Sequence, residues 1–291
     1  MRTRETTLAF MALMIGSAAL ALGPWLVRIA GVGPVAAGFW RLALAVPMLA
    51  LVALALGQSL KAPPKKAMLL VAVGSFFFAA DLASWHIGIH LTKLGNATLF
   101  GNFGSFLFAV YGLVLLRTLP TRAQGLALFL AAFGAVLLLS GSLEISLANL
   151  RGDLLALLAG LLYTGYLISI DRVRKTIDAL PIIFWASLAG AVWILPMAIL
   201  SGDRMIPEEW SHVALLAFSS QLVGQGLLVY AIGRLPPLVV GIGLLTQVAI
   251  AAAVGWLVYG EAFAPLDWVG AIAIGVALVL IRLRPRPIAT T

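Results

Sequence analysis

Residues 35–56 read VAAGFWRLALAVPMLALVALAL, and this run contains a single charged side chain, Arg41. A bilayer core about 30 Å thick is crossed by about 20 consecutive apolar residues in a helix. Similar runs follow one another along the whole chain, for example residues 8–27 and 268–281, with only short charged or Pro/Gly segments between them. The sequence therefore predicts a polytopic membrane protein.

The composition supports this class and indicates the type of span. Hydrophobic residues make up 62% of the 291-residue chain and charged residues 10%, a balance that no water-soluble core can bury. A membrane β-barrel would alternate polar and apolar residues in strands of about 10, whereas these runs are continuous and rich in Leu, Ala and Gly. Helices satisfy their own backbone hydrogen bonds in lipid, so an all-α fold is predicted. Because the chain has no Cys, it forms no disulfide, thiolate metal site or catalytic thiol.

Ten transmembrane helices are predicted, and Pro/Gly turns such as Gly31-Val32-Gly33-Pro34 separate them. Arg2 and Arg4 precede the first run as in a secretory signal, but the nine runs that follow favour an uncleaved first helix. The approximate bounds are 7–29, 34–57, 66–90, 94–116, 122–141, 152–171, 178–200, 209–231, 236–259 and 265–283.

The distribution of cations predicts the orientation. Cytoplasmic segments of membrane proteins carry an excess of Lys and Arg. With a cytoplasmic N-terminus, 14 of the 19 cations fall on the cytoplasmic side: Arg2, Arg4, Lys61, Lys65, Lys66, Arg117, Arg122, Arg172, Arg174, Lys175, Arg234, Arg282, Arg284 and Arg286. We therefore expect a multi-pass protein of the bacterial cytoplasmic (inner) membrane with both termini in the cytoplasm. The topology accounts for the net charge of +8, which gives no support to nucleic-acid binding.

A twofold repeat relates the two halves of the chain, residues 7–141 and 152–283. Aligning Gly125 with Gly270 sets the run 126–139 against 271–284 and places Asn102 on Gln247. Each copy has five spans, an odd number, so the second copy is expected to lie inverted in the membrane. Inverted repeats are typical of transporters, in which the exchange of conformations between two equivalent halves opens a central site to either side.

Several motifs resemble the EamA type of the drug/metabolite transporter (DMT) superfamily. Arg151-Gly152-Asp153-Leu154-Leu155-Ala156-Leu157, followed by Tyr163, resembles the opening of that family's second half. Tyr259-Gly260-Glu261 with Asp267-Trp268-Val269-Gly270-Ala271 resembles its closing element, and Phe39-Trp40-Arg41-Leu42 its second-helix pattern.

The resemblance extends over nearly the whole chain. It implies ten helices in two inverted five-helix repeats, a central substrate cavity and alternating access. Relatives carry amino acids, other metabolites or toxic cations, and among them the chain resembles aromatic amino-acid exporters of the YddG type. The chain departs from the family pattern in one place, because Leu116 and Arg117 stand where the first copy would carry a counterpart of Glu261.

Polar side chains in the middle of apolar helices mark candidate substrate-binding residues. A charge at mid-membrane costs about 2.5 kcal/mol or more, so Asp81 should face a cavity or a partner. It is a candidate for a cation or proton site, and the alternative is a protonated or paired Asp that braces helices. Trp85, one turn on, offers a π surface, or else belongs to an interfacial belt. His86 is a candidate cavity hydrogen bonder, and its spacing to His90 gives weak support for a metal, so no metal site or other cofactor is predicted.

Amides form the second group of candidates. Asn102 and Gln247 are related by the repeat, and both should face the central axis, to contact substrate or to clamp helices. Gln221 and Gln225, four residues apart, should form one polar stripe along the cavity. Tyr163 and Trp185 are weaker aromatic candidates, because aromatics in membrane helices more often pack or lie in a belt.

Arg41 is predicted to snorkel to the interface or to pair with a helix end, with attraction of a substrate carboxylate as the less favoured alternative. The fifth and tenth spans carry no internal polar side chain apart from small residues. They are expected to stand away from the transport path.

These patterns favour transport of a small molecule over catalysis. The chain has no P-loop, and Asp81 is the only carboxylate in the middle of a predicted span, so an aspartyl dyad is excluded. We predict a carrier that exports amino acids or similar small metabolites. The alternatives are a multidrug or cationic-compound efflux carrier and a channel-like facilitator. Energy coupling and oligomeric state are left open by the sequence.

Overall fold

The computed structural model describes residues 2–92, 94–115, 119–140, 146–259 and 265–283. Its helices follow the chain as α1 (Arg2–Ala21), α2 (Gly23–Arg28), α3 (Pro34–Ala55), α4 (Lys65–Leu91), α5 (Leu94–Leu115), α6 (Arg122–Ser140), α7 (Leu150–Val173), α8 (Ala179–Leu200), α9 (Trp210–Leu216), a π-helical segment (Ala217–Gln225), α10 (Gly226–Ile232), α11 (Pro237–Leu244), α12 (Thr246–Tyr259) and α13 (Pro265–Leu283). The Glu261 of the predicted closing element and the pair Leu116 and Arg117 lie outside the described residues.

The predicted fold class is confirmed. Among the described residues the regular structure is entirely helical, and eight helical stretches are long and apolar enough to cross a membrane. Two shorter apolar helices, Arg122–Leu138 and Pro265–Ile281, lie where the fifth and tenth spans are predicted. The chain is an all-α polytopic membrane protein.

Three predicted spans are interrupted in the structure. The first breaks at Leu22, where Pro24 in the first turn of α2 suits the start of a new helix. The eighth contains the π-helical segment Ala217–Gln225. The ninth breaks at Leu245, beside which the Thr246 hydroxyl donates to the Gly243 carbonyl at 2.6 Å. Hydropathy alone does not reveal these interruptions, because the residues on both sides are equally apolar.

Helices of the first half pack mainly against helices of the second half. Helix α4 packs on α7 and α8, and α1 packs on the π-helical segment and α10. Helix α5 packs on α7 and α11, and the remaining main pairs are α3 with α8 and α6 with α13. Each of these main pairings has a counterpart when each of the first five spans is exchanged for the span five later. The centre of the bundle is therefore lined by both halves.

The closest approach between α5 and α7 occurs at two glycines. A Cβ placed on Gly104 would lie 2.3 Å from the Gly160 carbonyl oxygen, and a Cβ on Gly160 would lie 2.9 Å from the Phe100 carbonyl oxygen. Small residues allow this proximity, which is a common way for helices to associate in membranes. The contact fixes α5, with Asn102, against α7, with Tyr163.

The loop between α8 and α9 is bound to the start of α3. Asp203 Oδ2 accepts the backbone N–H groups of Val35 at 2.6 Å and Ala36 at 2.9 Å. The Gly33 N–H donates to the Arg204 carbonyl at 3.0 Å, and Trp40 Nε1 donates to the Met205 carbonyl at 2.6 Å. A carboxylate at a helix N-terminus satisfies free N–H groups and complements the helix dipole. Residues 203–205 thus cap the helix that carries Arg41.

Candidate substrate cavity

A cavity lies between the two halves and is partly open to solvent. Its lining residues come from both halves, and none comes from α6 or α13: Leu20, Arg41, Phe78, Asp81, Leu82, Trp85, Gly101, Asn102, Ser105, Tyr163, Gln225 and Gln247. The fifth and tenth spans accordingly stand away from the cavity.

Six of the nine candidate binding residues line this cavity: Asp81, Trp85, Asn102, Tyr163, Gln225 and Gln247. The structure does not place His86, Trp185 or Gln221 among the lining residues. That the six contact a substrate stays a prediction.

His86 and Trp185 face other parts of the bundle. His86 is fully buried, and its Nδ1 lies 2.9 Å from the Pro34 carbonyl at the start of α3, so His86 joins α4 to α3. Trp185 lies near the start of α8, and its Nε1 donates to the Leu60 carbonyl at 3.1 Å in the loop before α4. Neither residue is among those that line the cavity, and contact of either with a substrate stays a prediction.

Arg41 lies inside the bundle, with 3% of its surface exposed. Its guanidinium lies over the Phe78 ring at 5.6 Å from the centroid, and its Nε donates to Gln221 Oε1 at 3.3 Å. Gln221 Nε2 in turn donates to Ser187 Oγ at 3.0 Å. The snorkelling prediction for Arg41 is wrong, because neighbouring helices enclose the side chain and the cavity supplies its polar environment. Gln221 contributes to the site through Arg41 and does not line the cavity itself.

Asp81 is the carboxylate of the cavity and is 8% exposed. Among the described residues, none donates a hydrogen bond to its side chain and none forms a direct ion pair with it. Arg41 lines the same cavity. The described part of the chain holds no group of three His, Cys, Asp or Glu side chains that could bind a metal ion.

One wall of the cavity is aromatic. Phe78 and Tyr166 stack with their centroids 4.4 Å apart, and Tyr163 lies 5.8 Å from Tyr166. The Tyr163 hydroxyl accepts a hydrogen bond from Gln225 Nε2 at 3.1 Å. Gln225 Oε1 is buried and has no partner in the structure. The Gln225–Tyr163 hydrogen bond thus joins the π-helical segment to α7 at this wall.

The α4–α5 side of the cavity combines an amide with an indole. Asn102 lines the cavity, and its Nδ2 donates to the Thr98 carbonyl at 2.9 Å within α5. Trp85 Nε1 donates to the Ala97 carbonyl at 3.3 Å, and its ring packs against Gly101. Hydrogen bonds to backbone carbonyls thus fix both side chains before any ligand arrives.

Sequence reasoning missed Phe78 and Ser105 as lining residues, and it gave Arg41 the wrong position. Phe78 stands three residues before Asp81 in α4, which puts the two on one helix face. This spacing is the signal that identifies Phe78 as a neighbour of the carboxylate. Ser105 has the same relation to Asn102 in α5.

Comparisons with known proteins connect the second half of the chain to a family. Residues 150–283 match the model of the EamA-like transporter family. One solved crystal structure has a TM-score of 0.75 with this chain at 17% sequence identity, and the alignment covers 97% of this chain and 99% of the other. At this identity the likeness shows a shared fold. No curated protein matches the chain.

Proposed function

We propose that the protein is a membrane carrier of the drug/metabolite transporter superfamily that moves amino acids or similar small metabolites by alternating access. The main support for this proposal is the central cavity, which is lined by polar and aromatic side chains from both halves. The EamA-like domain at residues 150–283 supports a transporter over an enzyme. We place the protein in the bacterial cytoplasmic membrane and assign it export, following the family resemblance.

The proposed mechanism uses two inverted halves, residues 7–141 and 152–283. The helix pairings support it, because exchanging each span for its counterpart leaves the main pairings in place. In an inverted repeat this exchange corresponds to opening the cavity on the opposite side of the membrane. A cavity lined by both halves remains at the centre in either state.

The chemistry of the lining favours amino acids with an aromatic side chain. Asn102, Gln225 and Gln247 offer amides that donate to a carboxylate and accept from an ammonium. Trp85, Phe78 and Tyr163 form apolar and π surfaces. Such a combination suits a zwitterion that carries a ring.

A second candidate function is efflux of organic cations. Asp81 beside Trp85 and Phe78 favours it, since a carboxylate and aromatic faces both attract cations. The Arg41 cation in the same cavity opposes a ligand of net positive charge. We therefore favour transport of a zwitterionic amino acid over efflux of organic cations.

Transport in proteoliposomes tests the proposal. Purified protein should take up labelled phenylalanine or tryptophan with saturation, and excess unlabelled amino acid inside the vesicles should accelerate that uptake by counterflow. An imposed pH gradient measures coupling in the same vesicles. Ohmic conductance without counterflow would instead indicate a channel, and uptake of organic cations alone would favour the second candidate.

We expect the loop that contains Ser59 to face the cytoplasm and the one that contains Ser201 to face outside. Both serines are exposed, and the chain has no native Cys, so Ser59→Cys and Ser201→Cys each provide one thiol. A membrane-impermeant maleimide should label Ser201→Cys in intact cells and Ser59→Cys only after permeabilisation. The reverse pattern would overturn the orientation.

Asn102→Leu and Gln247→Leu should each weaken substrate binding while the protein still folds. Both side chains line the cavity from opposite halves, and loss of one amide leaves a polar group of the bound ligand unpaired, at a cost of about 1–3 kcal/mol. Scintillation proximity binding with labelled amino acid measures the change on purified variants. Gln58→Leu in the exposed loop before α4 is the matched control. Unchanged affinity in both variants would remove the pair from the site.

A further inference from the structure

The Arg41 guanidinium has more donors than the protein satisfies. Arginine carries five N–H donors, and in the described part of the chain only Nε has a protein acceptor, Gln221 Oε1. Arg41 is 3% exposed yet lines the cavity, so the other donors have the cavity as their one polar environment. A buried charge is costly without partners. The cavity therefore favours a ligand that brings an acceptor to Arg41.

Gln221 and Phe78 determine the orientation of this guanidinium. Gln221 Nε2 donates a hydrogen bond to Ser187 Oγ, so the Gln221 amide presents its oxygen to Arg41. Phe78 lies against the guanidinium at 5.6 Å. Gln221 and Ser187 are fully buried, and neither lines the cavity. With Nε occupied by Gln221, the two terminal nitrogens remain for a ligand, and their planar geometry matches the two oxygens of a carboxylate.

A carboxyl group lies in the same cavity. Asp81 and Arg41 both line it, but within the described residues they form no direct ion pair with each other. The cavity thus has the Arg41 guanidinium as one pole and the Asp81 carboxyl group as the other, and each can interact with its own group of a ligand.

We propose that Arg41 binds the carboxylate of the transported compound, that Gln221 positions its guanidinium, and that the two poles together select compounds carrying both a carboxylate and an ammonium. This inference rests on the proposed function. It makes Arg41 and Asp81 specificity-determining residues and Gln221 a positioning residue, held in turn by Ser187.

Three probes that share one ring separate the two poles. Phenylalanine carries both charged groups, 3-phenylpropionate only the carboxylate, and phenethylamine only the ammonium. Competition with labelled phenylalanine on purified protein should rank phenylalanine first in the wild type. In Gln221→Leu the affinities for phenylalanine and 3-phenylpropionate should fall about tenfold, as for the loss of one hydrogen bond to a charged group, while that for phenethylamine is unchanged.

Ser187→Ala provides a milder second variant with the same selectivity, because it removes only the group that holds the Gln221 amide. It decides the question if Gln221→Leu does not fold. Its matched control is Ser169→Ala, since the Ser169 hydroxyl bonds within its own helix to Gly165 and lies outside the cavity lining. The control should bind all three probes as the wild type does.

Two results would overturn the inference. One is an equal loss, or no loss, for all three probes in Ser187→Ala and in any folded Gln221→Leu, since a purely structural role does not distinguish a carboxylate from an ammonium. The other is wild-type protein that binds 3-phenylpropionate or phenethylamine as tightly as phenylalanine. A wild-type protein that folds but neither binds nor transports any amino acid would instead contradict the proposed function.

Discussion

Replacement of Asp81 by Asn should abolish substrate accumulation driven by a pH gradient and should leave substrate exchange in place at a higher KM. Asp81 is the carboxylate that lines the cavity, so it is the candidate group to exchange a proton between the two sides. Asparagine has no titratable proton, but its oxygen still accepts a hydrogen bond from an ammonium. Loss of the charge from that hydrogen bond should raise KM roughly tenfold or more.

Two assays in the same proteoliposomes measure the effect: uptake against a concentration gradient under an imposed pH difference, and counterflow without one. Asp171→Asn is the control. Asp171 is also a buried carboxylate of a membrane helix, bonded to Tyr111, but it does not line the cavity, so this variant should keep the pH response. A full pH response in Asp81→Asn would remove Asp81 from coupling.

Gly104→Ala should cause the largest loss of stability among small substitutions in the described helices of the α5–α7 pair. The added methyl group would lie 2.3 Å from the Gly160 carbonyl oxygen. Since that atom belongs to the backbone, relief requires α5 and α7 to separate. Overpacking of a well-packed core costs about 1–3 kcal/mol, and here one shifted contact affects the whole length of two helices. Thermal unfolding in detergent should show a clearly lower Tm.

Gly226→Ala is the matched control, because a Cβ at Gly226 meets no atom within 4 Å. Its Tm should equal or exceed that of the wild type, since alanine has the higher helix propensity. Equal Tm values for the two variants would show that the α5–α7 contact relaxes without cost.

Hydropathy was sufficient to predict the helical spans, because lipid requires long apolar segments whatever their neighbours are. Pro and Gly turn residues predicted most ends of the spans, because their effect on the backbone is also local. The six candidates that line the cavity are polar or aromatic side chains in the middle of apolar helices, where contact with lipid would be unfavourable. That reasoning failed for Arg41, since a flexible side chain can reach several environments and the packing of α3 among its neighbours decides between them.

Gln221 and Gln225 illustrate a different limit. Their spacing of four predicts one polar stripe in an α-helix, but this segment is π-helical, with hydrogen bonds from i to i+5 that widen each turn. Gln221 contacts Arg41 and Ser187, whereas Gln225 contacts Tyr163. The sequence contains no signal from which this local change of helix geometry can be read.

Capping of α3 by residues 203–205 has a consequence for control of the protein from outside its cavity. Asp203 holds the first N–H groups of α3, and Arg41 lies in that helix about 10 Å further along the axis. A soluble binder, such as an antibody fragment, that binds the α8–α9 loop would therefore also restrain the start of α3. Such a binder would act on the cavity as an allosteric inhibitor, without competing with anything inside it.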